Sequence, residues 1–235
     1  MISAVAFCPH PPLLVPRLAA GAAGDLGALR VACGVALGRL AAPRRRIVLL
    51  GAGESSRSHS PLARGGLSGY GVAIEVNLGG PGCSGALGLP LSLTVGAWLV
   101  REAFGPHSGA VGFSVAPAGF AGPAAAELVA LAERDDIALV VMGDGSARRG
   151  PSAPGYLDER AIPFDDGVVA ALRAGDAAAL AGLDVETGHA VLAAGVPAWR
   201  AAGRLLDGGS YDAEVHYADD PYGVSYVVAT WATRD

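Results

Sequence analysis

Ile137-Ala138-Leu139-Val140-Val141-Met142-Gly143-Asp144-Gly145-Ser146 is the stretch that decides the fold. Six apolar residues in a row stop abruptly in a turn of small and polar residues. A strand buried on both faces ends in this way when it delivers side chains to a site. A second such run, Ile2–Phe7, leads into Cys8-Pro9-His10-Pro11-Pro12 and sets one histidine on a proline-stiffened loop. Working outward, strand-like runs recur at Ile47–Leu50, Val72–Val76, Ala110–Val115, Glu214–Tyr217 and Val224–Trp231. Helical patterns lie between most of them. Asp25 is placed to cap a helix running to about Leu40, and Leu91–Phe104 and Pro123–Arg134 read as helices, the second opening on proline. After Met142 the pattern changes to consecutive helices at Phe164–Arg173, Ala177–Leu183, Val185–Ala194 and Ala198–Leu206, with Asp176 as a cap. A hairpin closes the chain, turning at Asp219-Asp220-Pro221-Tyr222-Gly223. The prediction is an α/β fold: a central, mostly parallel sheet flanked by helices, with a late helical segment and a C-terminal β-hairpin. No linker or internal repeat divides the chain, which predicts one domain over residues 1–235.

Composition narrows the function. The chain has 235 residues, 51% of them hydrophobic, and a mean hydropathy of +0.40, supplied largely by alanine and 35 glycines. The longest apolar stretch, Leu87–Val100, is broken by Gly88, Pro90, Ser92, Thr94 and Gly96 and is too short for a bilayer, which needs about 20 apolar residues. The first apolar run has no basic segment before it, which predicts no secretory signal. Cys8, Cys33 and Cys83 are odd in number and widely spaced, so a reducing cytoplasm is expected rather than a disulfide framework. A net charge of −5 gives no global basic field for nucleic acid. Arg44-Arg45-Arg46 reads as a solvated helix-to-strand loop, and Gly79–Gly88 as a surface loop. There is no lysine, which excludes Schiff-base chemistry and the phosphate-binding P-loop. The high apolar fraction and only 17% charged residues predict a homo-oligomer, and the interrupted apolar stretch predicts no membrane span.

The two strand-to-loop transitions, with Pro154-Gly155-Tyr156, Phe164-Asp165 and Ala174-Gly175-Asp176, resemble the catalytic subunits of class III extradiol ring-cleavage dioxygenases, to which the Memo-like proteins are related. The resemblance touches both ends of the chain, is densest over 143–176 and is thin over 51–135. It implies a non-haem Fe(II) held by two histidines and a carboxylate, with open positions for a catechol-type aromatic and O₂. His10 matches the first histidine ligand. The second belongs after the second strand, where Gly51-Ala52-Gly53-Glu54 carries no histidine, leaving Glu54 or His59 as loose substitutes. The third belongs near Ala193-Ala194-Gly195, where only apolar groups stand; Glu186 and His189 lie nearby, three apart. Ala147 occupies the position of the histidine that moves protons in the family. The candidate residues are therefore His10, Asp144 and Ser146 for chemistry, and His10, His59 and Glu54 for metal. Two outcomes stand open: a divergent Fe(II) dioxygenase with a rebuilt site, or a binding or scaffold protein without a cofactor on the same fold.

Each candidate also has a structural reading. His10 can be a packing histidine between prolines, His59 an exposed loop residue, and His107 part of a turn. Asp144 and Ser146 are common turn formers. Glu214 and His216 alternate on one face of a strand, expected to be polar and outward. Tyr222 and Tyr226 are expected to pack with the last strand. Two rival functions fail on local grounds. Gly51-Ala52-Gly53-Glu54-Ser55-Ser56 followed by Glu75 imitates a dinucleotide fingerprint, but Pro61, Gly65, Gly66, Gly69 and Gly71 cannot form the helix that should hold the pyrophosphate. A serine hydrolase on Ser146 lacks the second glycine of the nucleophile elbow, whose place Arg148 takes.

Overall fold

The computed structural model describes residues 1–19, 24–80 and 85–234. Strand β7 (Ile137–Met142) is buried at all six positions and lies between two parallel neighbours, β1 (Ile2–Cys8) and β2 (Arg46–Ala52). Beyond β2 lies parallel β6 (Val111–Val115), then antiparallel β3 (Arg57–His59). On the other side β9 (Tyr226–Thr233) pairs antiparallel with β1, and β8 (Tyr211–Asp219) with β9. The seven-stranded order is β3-β6-β2-β7-β1-β9-β8, mixed α/β with a parallel centre and the C-terminal hairpin at one edge.

Side-chain alternation along the strands splits the interior into two cores. Ile137, Leu139 and Val141 join one core with α4 (Pro123–Arg134), α5 (Ala161–Ala174), α6 (Ala177–Ala181) and α8 (Val196–Leu205). Ala138, Val140 and Met142 join the other with α2 (Gly27–Gly38) and α3 (Leu91–Phe104). An unbroken apolar run is what a strand covered on both faces requires. Short α1 (Pro16–Ala19) and α7 (Val185–Ala190) are the remaining α-helices among the described residues, and β4 (Arg64–Gly66) pairs with β5 (Glu75–Asn77) in a separate two-stranded sheet. Among the described residues no helix is long and apolar enough to cross a membrane.

Several local expectations are corrected. Asp25 does not cap α2, whose N-cap is Leu26; its carboxylate instead accepts from the Tyr222 hydroxyl at 3.1 Å. The run Val72–Val76 is not a strand of the main sheet, because only Glu75–Asn77 is extended and its partner is β4. The arginine cluster does lie in the helix-to-strand connection, with Arg44 and Arg46 exposed, and Arg45 pairs with Asp136 and Arg46 with Asp135, joining the start of β2 to the start of β7. His216 does not face solvent; its Nε2 lies 2.8 Å from the Thr230 hydroxyl and its ring is largely covered. Asp176 does cap α6, accepting from the Ala179 amide at 2.8 Å. Cys83 and the rest of residues 81–84 in the Gly79–Gly88 loop lie outside the described residues.

Candidate functional site

Cys8, Met142 and Gly51 are lateral partners across β1, β7 and β2, so the loops after these strands leave the sheet along one line. His10, Asp144 and Gly53 each lie two residues beyond that line. They therefore share the carboxyl edge of the sheet, the usual crevice of open α/β folds. The His10 amide donates to Asp144 Oδ1 at 2.7 Å, and His10 Nδ1 stands 3.5 Å from the same oxygen. The His10 ring is buried, and its Nδ1 has no hydrogen-bond partner among the described residues. Burial raises the Asp144 pKa above the usual carboxylate range, while His10 pulls it back down through its charge and its amide. Neighbours respond to that carboxyl. The Cys33 thiol is held well above its ordinary range by its contact with the Cys8 thiol and by burial, with Asp144 adding to both. The Tyr226 phenol is raised by burial first and by Asp144 second.

Ser146 has a structural assignment. Its hydroxyl donates to Asp165 Oδ2 at 2.5 Å and its amide to Oδ1 at 2.9 Å, and both residues are fully enclosed. Arg149 adds a 3.0 Å contact to Asp165 and a 2.6 Å contact to Asp220. The hydroxyl proton is committed to a buried carboxylate that an arginine already neutralises, so Ser146 is not poised as a nucleophile. This network ties the turn after β7 to α5 and to the turn of the hairpin.

The expected iron ligands do not assemble. His59 sits on β3 with Nε2 at 3.0 Å from Ser114 Oγ. Ser114 gives its own proton to the Ser55 carbonyl at 2.7 Å, so Nε2 must carry the hydrogen. Burial, with a smaller contribution from Arg57, lowers the His59 pKa to about 4. Glu54 is exposed, as are Glu186 and His189 on α7. Among the described residues no group of three or more His, Cys, Asp or Glu side chains is arranged to hold a metal ion. The donor set therefore does not fit the Fe(II) that the resemblance implies. His10, His59 and Glu54 are not brought together as a ligand set. Ala147 makes only backbone bonds, its amide to the Val191 carbonyl at 3.0 Å and its carbonyl from the Gly155 amide at 2.9 Å.

What the carboxyl edge does hold is a cavity of about 430 Å³, floored by Ala52 at the end of β2. One wall is the loop after β6, Pro117–Phe120; the opposite wall comes from α7, α8 and the turn between them. The loop is held in place by Ser56, whose hydroxyl donates to the Gly119 carbonyl at 2.8 Å and accepts from the Ala116 amide at 3.0 Å. Phe120 packs edge-on against Phe113, ring centres 6.3 Å apart. On the α8 side, Gly195 donates to the Asp144 carbonyl at 2.8 Å. That bond is possible because Gly143 and Gly195 lack side chains: a Cβ on Gly143 would stand 2.7 Å from the Gly195 Cα. Ala193–Gly195, where the resemblance places its third ligand, thus does adjoin the turn after β7, with backbone rather than a carboxylate.

No known family profile and no curated protein matches the chain. Eighteen chains of solved structures do match in fold. One is the crystal structure of an uncharacterized protein, JW3007, from Escherichia coli K12, 16% identical, covering 97% of this chain and 99% of its own, with a TM-score of 0.48.

Reading the sequence alone missed the two features that organise this edge. Asp165 carries no local signal tying it to Ser146, because the two are joined only once α5 packs under the turn. Much of the cavity lining is alanine, proline and glycine, whose significance appears only when the loop after β6 and α8 face each other.

Proposed function

We propose that this chain is a divergent relative of the class III extradiol dioxygenases that binds an apolar, aromatic-sized molecule at the carboxyl edge of its sheet and has lost iron-dependent ring cleavage. The observation that carries the reading is the chemistry of that edge. Its half-open cavity is lined chiefly by apolar side chains, while the histidines and carboxylates expected to hold iron are dispersed, exposed or already bonded within the protein. A cavity of this size suits a small ligand. Loss of the proton-moving histidine to Ala147 removes a contribution of roughly 10²–10⁴-fold in family-type chemistry. The buried free cysteines Cys8 and Cys33 fit a reducing cytoplasm.

Anaerobic reconstitution with Fe(II), followed by metal analysis and oxygen-electrode assays on several catechols, tests this reading. The expected result is substoichiometric iron and no substrate-dependent O₂ uptake. Stoichiometric iron whose retention depends on His10, together with catechol-dependent O₂ uptake, overturns it and favours a rebuilt site.

A further inference from the structure

The cavity beside Ala52 is apolar in its body and cationic at one rim. Arg200 and Arg204 stand four residues apart on α8 and both line it, with His189 contributed by α7. Among the described residues no Asp or Glu side chain lines the cavity. Arg200 is partly engaged, donating to the Leu183 carbonyl from Nη1 and lying close enough to Asp184 to help depress its pKa, after the stronger bonds from Thr187 and Glu186. Arg204 is not engaged in this way. Among the described residues it makes no ion pair and no side-chain hydrogen bond, and its Nη1 lies over Gly119, 3.6 Å from where a Cβ would stand. Arg204 is exposed and the loop beneath it is fixed by Ser56, so a guanidinium is presented at the mouth of a preformed apolar space with no anionic partner among the described residues.

We propose that the cavity takes an organic monoanion, a carboxylate on an apolar body, with the body between Pro117–Phe120 and α8 and the carboxylate at Arg204. The proposal rests on the binding reading above and names its ligand class. A guanidinium presents parallel N–H donors that match a carboxylate in two bonds, and such charge-assisted bonds are stronger than neutral ones. The apolar lining supplies the rest of the affinity in proportion to the area it removes from water. A vicinal diol is not required for either contact.

Calorimetry on the full chain compares 2-naphthoate with 2-naphthol, and decanoate with decanol, so that each pair shares one apolar body and differs in charge. Each carboxylate is expected to bind at least about tenfold more tightly than its neutral counterpart, a difference that one charge-assisted bond supplies. Arg204→Ala should abolish that preference while leaving the neutral compounds unchanged. Arg173→Ala, which removes the same charge from α5, should preserve it. Ala194→Trp, at an exposed position on the cavity wall, should block both members of each pair, with the thermal transition confirming that every variant is folded. Equal binding of acid and alcohol, or a preference that survives Arg204→Ala, overturns the ligand class and leaves the binding reading standing. If neither acid nor alcohol binds, the ligand class and the binding reading both fall. The iron experiment bears on the loss of ring cleavage alone.

Discussion

His59 links β3 to the sheet and titrates far from its ordinary range. Its pKa falls from 6.5 to about 4 because burial disfavours the charged ring, with Arg57 adding to the shift. Between those two values the unfolded chain binds a proton that the folded one does not, so folding is stabilised above pH 6.5 and loses that stability as the pH falls toward 4. At pH 4.5 the loss amounts to about 2–3 kcal/mol. Urea denaturation of wild type and His59→Gln at pH 7.5 and 4.5 isolates this contribution from the carboxylates common to both. The gap between the two proteins should move by that amount in favour of the variant at the lower pH. A gap that stays constant assigns the acid sensitivity to other groups. The same residue marks a limit of sequence reading. Ser55-Ser56-Arg57-Ser58-His59-Ser60 reads as a polar loop, yet three of its residues form an edge strand because the backbone of β6 offers them partners. His10 and Asp144 were legible as neighbours, since each directly follows a long apolar strand.

At the scale of elements, strong local signals survived and weak ones did not. β7 and the two helices that start beside proline, α3 and α4, fall at the residues expected, because burial on both faces and proline at a first turn leave few alternatives. β4 was not foreseen: Arg64-Gly65-Gly66 has little side chain to show a period, and its extended form comes from pairing with β5. The contact between the β7 turn and the start of α8 belongs to the same class. Gly143 and Gly195 approach so closely that a methyl group on Gly195 would stand 2.6 Å from the Trp199 ring and 2.9 Å from the Gly143 Cα. Trp199 is fully buried and cannot yield. Gly195→Ala is therefore expected to cost about 1–3 kcal/mol through overpacking and to displace α8. Because α8 forms a wall of the cavity, the variant should lose affinity for a ligand there as well as stability. Unchanged denaturation with unchanged binding would show that the two turns can separate freely.

For the molecule as a whole, the sheet buries its centre and leaves its two edge strands, β3 and β8, without further partners in the sheet. On α2, Val31 and Val35 stand one turn apart and are 68% and 44% exposed. Aliphatic groups aligned in this way on a helix favour self-association. Light scattering at tens of micromolar, on the order of common assay concentrations, is expected to report a dimer or larger species, with Val31→Glu shifting it toward monomer. A monomer in wild type contradicts the expectation. The position of β1 has a separate consequence, for synthesis. Its neighbours are β7, which ends at residue 142, and β9, which ends at residue 233. At about 5–20 residues per second, the ribosome delivers the second of these roughly 5–18 s after the first. During that interval β1 has its parallel partner β7 available but not β9, so it presents an open edge to every other chain nearby. The vulnerable moment for this protein is therefore late in translation, and slowing elongation over residues 143–225 should raise aggregation of the newly made chain far more than slowing it over residues 1–136.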